Sequence, residues 1–117
     1  MAEYDPEAER TVLWWLGLAD AGDAAGTYAA AGSLFRRAVL EDQWFRSLDA
    51  ARSPLGGAFT RRLRSARVAT ELPGAPDGEY VTFEFETQFE RKRSAVETVT
   101  AMRDVDGQWR VSGYFIR

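Results

Sequence analysis

The clearest pattern in the chain runs from Tyr80 to Glu90. Val81, Phe83, Phe85, Thr87 and Phe89 alternate with Thr82, Glu84, Glu86, Gln88 and Glu90. A period of two places these sets on opposite faces of a strand. The segment is expected to be half buried and antiparallel, apolar face on a core and carboxylate face in water. Before it, Pro73, Gly74, Pro76 and Gly78 mark a structural turn, since Pro limits φ and Gly reaches conformations closed to other residues. Asp77 is expected to accept backbone hydrogen bonds and tie this turn to the strand of Tyr80.

The N-terminal half has a helical period. Asp5-Pro6 is a helix start: Asp caps free N–H groups and Pro suits the first helical position. Ala8, Val12, Trp15, Leu16 and Ala19 then form an apolar stripe, widened by Trp14 and Leu18. Gly22 predicts a left-handed stop, and Asp23 a cap for a short second helix to about Ala31. Ser33 is expected to cap a further turn or two, from Leu34 to about Leu40. A third helix covers roughly Glu41 to Arg52, with Trp44, Phe45, Leu48 and Ala51 on one side, and Ser53-Pro54-Leu55-Gly56-Gly57 ends it.

From Ala58 the period is two. Phe59 and Leu63 share one parity and Ala66 and Val68 the other, which predicts a bulge near Arg64–Arg67. Arg91-Lys92-Arg93-Ser94 reads as a hairpin tip, Ala95 to Asp104 as a strand and Trp109 to Ile116 as the last. Asp106-Gly107 marks the hairpin between those two. Helices followed by strands define an α+β domain: three N-terminal helical segments packed on a curved four-stranded antiparallel sheet. One domain spans 1–117, its helical part 5–56 and its sheet part 58–116.

Composition narrows the chemistry. The 117 residues include no His and no Cys. Imidazole bases, Ser-His-Asp triads, thiol nucleophiles and His- or Cys-ligated metals are thereby excluded. Acid–base work would fall to Asp, Glu, Tyr or the single Lys92. No phosphate-loop pattern occurs, and neither cofactor nor metal is implied. Residues 1–57 hold nine acids and five bases and residues 58–117 nine acids and ten bases, a balance that argues against a nucleic-acid partner. No segment is apolar enough to span a bilayer, so no membrane partner is expected. Glu3, Asp5, Glu7 and Glu9 are the opposite of a basic signal-peptide start. A cytoplasmic location follows as the chain stands, an exported one if a leader has been removed.

Several segments together resemble one family: Trp15-Leu16 with Asp20-Ala21-Gly22-Asp23, Gln43-Trp44, Arg52-Ser53-Pro54-Leu55-Gly56, Leu72 to Tyr80, Glu97-Thr98-Val99-Thr100, and Asp106-Gly107-Gln108-Trp109-Arg110-Val111 with Gly113-Tyr114. They resemble, from about residue 8 to 116, a bacterial family known as domain of unknown function 4019. That family is similar to the nuclear transport factor two-like, or cystatin-like, roll. The resemblance implies a bent sheet around a long helix, often with a cone-shaped pocket. Relatives of that roll include ketosteroid isomerase, scytalone dehydratase, limonene epoxide hydrolase and many non-catalytic binding or dimerisation domains. The dehydratase's His set is absent, and no positions match the isomerase's Asp and Tyr set. The resemblance also implies a homodimer, although the carboxylate face of the Tyr80 strand would repel a copy of itself unless Arg residues interleave.

The candidate ligand-binding residues are Trp15, Trp44, Arg52, Glu97 and Tyr114. The aromatic residues, Trp14, Tyr28 and Trp109 among them, could line a pocket mouth or simply fill a core. Arg52 could clamp an acidic ligand or Glu97, or merely favour a helix C-terminus. Glu97 depends on the last hairpin. With a two-residue loop Met102 faces Val111 and Glu97 points outward. With a three-residue loop Ala101 faces Val111, Asp104 faces Gln108, and Glu97 lies opposite Phe115 on the apolar side. An inward Glu97 could act as a base or anchor a small-molecule ligand. Arg61, Arg62, Arg64 and Arg67 read as charge that guards an edge strand. Two classes of function follow: a non-catalytic ligand-binding or protein-interaction module, and a cone-pocket enzyme using Glu97. An enclosed cavity holding a carboxylate discriminates between them.

Overall fold

Asp5 accepts a hydrogen bond from the Glu7 amide at 3.0 Å and starts α1, Pro6–Asp20. In the computed structural model, which describes residues 3–117, three further helices follow: α2 (Ala24–Ala29), α3 (Ser33–Ala38) and α4 (Glu41–Arg52). A 3-10 turn at Ser53–Leu55 leads into β1 (Ala58–Ala69), β2 (Tyr80–Phe89), β3 (Lys92–Arg103) and β4 (Trp109–Ile116). The four strands form one antiparallel sheet in the order β1-β2-β3-β4. Among the described residues, no helix is long and apolar enough to cross a membrane.

The α1 stripe of Ala8, Val12, Trp15, Leu16 and Ala19 is buried, and α1 lies against β3 and β4. Val81, Phe83, Phe85, Thr87 and Phe89 face it from β2, all buried, while Thr82, Glu84, Glu86 and Gln88 do not. Trp44, Phe83 and Phe85 sit in this core; Trp109 is half buried, its indole donating to Asp5. In α4, Trp44 and Leu48 are buried, whereas Ala51 is exposed. Full burial of one such aliphatic or aromatic side chain is worth about 1.5–3 kcal/mol, so these two faces carry most of the fold.

Four expectations need correction. The turn or two after Gly32 is a helix of its own, and Ser33 does not cap it: Gly32 holds that position. The Ser33 amide and hydroxyl instead donate to Asp104 at 2.9 and 2.6 Å. The β2–β3 tip is Glu90-Arg91, because β3 already begins at Lys92, which pairs with Phe89. In the turn before β2 the left-handed glycine is Gly74, not Gly78. Asp77 makes no hydrogen bond among the described residues; the Tyr80 hydroxyl donates to the Pro76 carbonyl at 2.5 Å and the Gly78 amide to Thr70 at 2.9 Å. Backbone closure makes the side-chain tie unnecessary.

Asp104 joins the two layers. Besides Ser33, it accepts from the Val105 amide at 2.8 Å and pairs with Arg110 at 3.3 Å. Burial pushes its carboxyl up, but the Ser33 and Val105 bonds and the Arg110 charge outweigh this and hold it at about 2. Its unfolded pKa is about 3.9, so its stabilisation is complete above roughly pH 4 and lost as the pH falls toward about 2. Asp104→Ala is expected to cost about 2–3 kcal/mol at neutral pH. In thermal melts the gap between variant and wild type should narrow below about pH 4 and close only toward about pH 2; a constant gap would show that the carboxylate charge is irrelevant there.

Candidate functional site

The last hairpin takes the three-residue-loop register. The Asp104 amide donates to the Gln108 carbonyl, and Ala101 faces Val111. A further bulge between Thr100 and Ala101 then sets Glu97 opposite Ile116 rather than Phe115. Glu97 therefore points inward and is fully buried. Its neighbour across the other edge of β3 is Phe85, so the carboxylate sits in an otherwise apolar row.

A buried carboxylate is tolerated only if it is paired and hydrogen-bonded. Every strand contributes to that end. Arg61 of β1 lies inward because it pairs with Thr87 on the inward face of β2, and its Nε donates to Glu97 Oε1 at 2.7 Å. The Thr87 hydroxyl donates to the same oxygen at 2.6 Å. Tyr114 of β4 donates its phenol to Oε2 at 2.5 Å. Arg52, at the end of α4, stands 3.6 Å from Oε2 and donates to the Tyr114 oxygen at 3.2 Å.

Asp20 closes the cluster from the end of α1. Arg61 grips it with two bonds of 2.8 and 2.9 Å, and Arg52 reaches it at 2.7 Å. The fork of a guanidinium suits such two-point binding. Arg52 also lies over the Phe89 ring, 5.3 Å from its centre, a cation–π contact. Two acids and two bases cancel in net charge. Burial pushes the Asp20 carboxyl up, but the hydrogen bonds and charges of Arg61 and Arg52 outweigh it and hold the carboxyl below its usual range. Burial likewise works against the charge of Arg61, yet Asp20 and Glu97 keep it firmly protonated. Burial, then the Glu97 charge, raises the Tyr114 phenol well above its usual range. The phenol is thus a hydrogen-bond donor and no base.

The aromatic candidates fill the remaining space. Trp15 lies 5.2 Å from the Tyr114 ring and 6.1 Å from Trp44, and Phe35 meets Trp44 edge-on at 5.1 Å. The two indoles donate to the Thr27 carbonyl and hydroxyl, both at 2.9 Å. The crevice between these rings leaves no room for a water molecule. A shallow depression of about 290 Å³ outside the cluster is bordered by Asp20, Arg52, Phe45 and Gly56. Among the described residues, no group of three or more Asp or Glu is placed to hold a metal ion.

The structure thus brings Trp15, Trp44, Arg52, Glu97 and Tyr114 into one cluster. It adds Asp20, Arg61 and Thr87, which the sequence reading did not propose as site residues. Thr87 did carry a signal, as the polar member of an inward row. Arg61 carried the same kind of signal, sharing the parity of Phe59 and Leu63.

A sheet wrapped on a long helix, with a polar group deep inside, defines the nuclear transport factor two-like class of α+β roll. A crystal structure from Shewanella frigidimarina NCIMB 400, of a candidate ketosteroid isomerase, has the same fold: TM-score 0.59 and 16% identity, over 95% of this chain and 94% of that one. Within that class the chain belongs to the family described as Protein of unknown function (DUF4019), whose model matches residues 11–114. Among curated proteins, none matches the chain.

Proposed function

We propose that this protein is a non-catalytic interaction module that works through its surface. The supporting observation is the filled interior. Trp15, Trp44 and Phe35 occupy the place of a chamber, and both Glu97 oxygens are committed to neighbouring side chains. A general base needs its substrate proton within hydrogen-bond reach, and no substrate fits beside Glu97. The Shewanella structure is named for ketosteroid isomerisation. For this chain, the absorbance of a β,γ-unsaturated 3-ketosteroid should change at the buffer rate. A protein-dependent rate that Tyr114→Phe abolishes would establish the enzyme instead.

Its first partner, in this reading, is a second copy. The outer sheet face carries Phe115, 57% exposed, opposite Thr98, with Val96 beside them. The carboxylates there are matched: Glu84 pairs with Arg117 at 3.2 Å and Glu86 with Arg62. Interleaved Arg removes the repulsion that an all-acidic face would bring, and a two-fold contact is the commonest closed assembly. Light scattering should report a dimer at about 100 μM, and Phe115→Arg should convert it to a monomer that keeps the wild-type circular dichroism. A monomeric wild type under those conditions would end this reading.

A further inference from the structure

The remaining feature without a role is the outer edge of β1, apart from Arg61. β1 is one of the two edges of the sheet, its backbone pairing with β2 alone; the other, β4, is partly covered where the Gly32 amide donates to the Val111 carbonyl. No other described residue bonds the outward N–H and C=O groups of β1. The strand is also 12 residues long, far longer than an edge that proteins leave unguarded.

Its side chains are of two kinds. Leu63, Ala66 and Val68 lie on the helix side of the sheet, after the bulge at Arg64 restores their common parity. Leu63 and Val68 are 37% and 49% exposed, and a groove of about 800 Å³ runs between β1 and α1, lined by Tyr4, Leu13, Leu63 and Ala66 on its apolar part and by Glu3, Arg10 and the bulged Arg64 on its polar part. Glu9 on its wall is engaged by the Tyr4 hydroxyl. On the outer side lies a groove of about 600 Å³ with Arg62, Arg64 and Arg93, against one carboxylate, Glu86. Arg67 faces the same way, opposite Thr82. Arg62 pairs with Glu86, but Arg64, Arg67 and Arg93 have no ion-pair partner among the described residues. The strand itself contains four Arg and no acid.

We infer that the β1 edge binds an extended peptide segment of a partner protein in which acidic and apolar residues alternate. The segment adds a fifth strand through its backbone. Its apolar side chains enter the groove beside Leu13 and Leu63, and its carboxylates meet Arg62, Arg64 and Arg67. Alternation follows from the period of two, because adjacent side chains of an added strand reach opposite faces. The charge selects the occupant. A second copy of β1 would set Arg against Arg, whereas an acidic strand relieves Arg64 and Arg67, which have no ion-pair partner among the described residues. The proposed outer-face dimer shares the Arg62–Glu86 pair and Val96 with the outer groove but does not use the backbone edge of β1, so amide protection of β1 separates the two.

The test uses the whole protein and a fluorescent ten-residue peptide alternating aspartate and valine, read by anisotropy and amide hydrogen exchange. Saturable binding that protects β1 amides and weakens with salt is expected. Arg64→Glu with Arg67→Glu should weaken it at least about tenfold at an unchanged melting temperature, these side chains being exposed. A lysine–valine peptide should not bind. Equal binding by the double variant, binding without β1 protection, or equal binding of the lysine peptide would overturn the inference. So would β1 protection that rises with protein concentration alone, since a second copy would then cover the edge.

Discussion

Glu97→Gln should lower the unfolding free energy by about 3–5 kcal/mol, the usual cost of leaving a buried charge without its partner. The change removes one negative charge and little volume, yet it strips Arg61 and Arg52 of half their compensation. Asp20 alone cannot balance two guanidinium groups that are 11% and 14% exposed. The companion variant carries Arg61→Met, Thr87→Val, Glu97→Leu and Tyr114→Phe together. It removes a whole ion pair and both hydroxyl donors to it, leaving Arg52 matched to Asp20. Its stability should return to within about 1–2 kcal/mol of wild type, because apolar residues replace a buried pair at little net cost. Urea unfolding measures both. A Glu97→Gln midpoint equal to wild type would show that water screens the cluster. The depressed Asp20 carboxyl and the raised Tyr114 phenol add a pH signature. Unfolded Asp ionises near 3.9 and unfolded Tyr near 10. Asp20's contribution is therefore complete above about pH 4 and fades in acid, and that of Tyr114 is complete below about pH 10 and fades in alkali.

The second large effect is expected at Trp44. Trp44→Ala should cost about 3–5 kcal/mol, as removal of a buried aromatic side chain does. The indole is 6% exposed, meets Phe35 and Trp15, and donates to Thr27. Its loss opens an apolar space beside Trp15 and Tyr114. Apolar cavities of that size stay dry and take up small aromatic molecules. Millimolar indole should accordingly raise the melting temperature of Trp44→Ala and leave that of wild type unchanged. If indole stabilises wild type equally, the interior is not filled and the interaction-module reading fails with it.

Local periodicity made much of this protein readable without coordinates. The stripe Ala8-Val12-Trp15-Leu16-Ala19 and the alternation Val81-Phe83-Phe85-Phe89 are each set by residues within one turn or one pleat of each other. Caps and stops are equally local, so Asp5, Gly22, Asp23 and Gly107 could be placed from their own chemistry. The phase change between Leu63 and Ala66 revealed a bulge because it contradicts the period of two. The limits of α1, α4, β2 and β4 follow from the same short-range rules, as does the order of helices before strands.

The charged cluster was only partly legible. Glu97 and Arg52 stood out as a carboxylate of undecided facing and a cation beside a Pro, but the sign of Glu97's orientation hung on one residue of hairpin register. Its inward position is settled by pairing, Asp104 with Gln108 and Ala101 with Val111, and an outward Glu97 would have inverted the whole apolar row of β3. Asp20 and Arg61 are 41 positions apart in sequence and touch; nothing in either neighbourhood announces the other. Whether the cone is open or filled is likewise a question of volumes contributed by α1, α3, α4 and β4 together. The sequence by itself determined the elements, their inward faces and the α+β class, because those depend on neighbours along the chain. Only the tertiary structure decided which charges meet and whether space remains between them, because strand register and helix packing join residues that the chain keeps far apart.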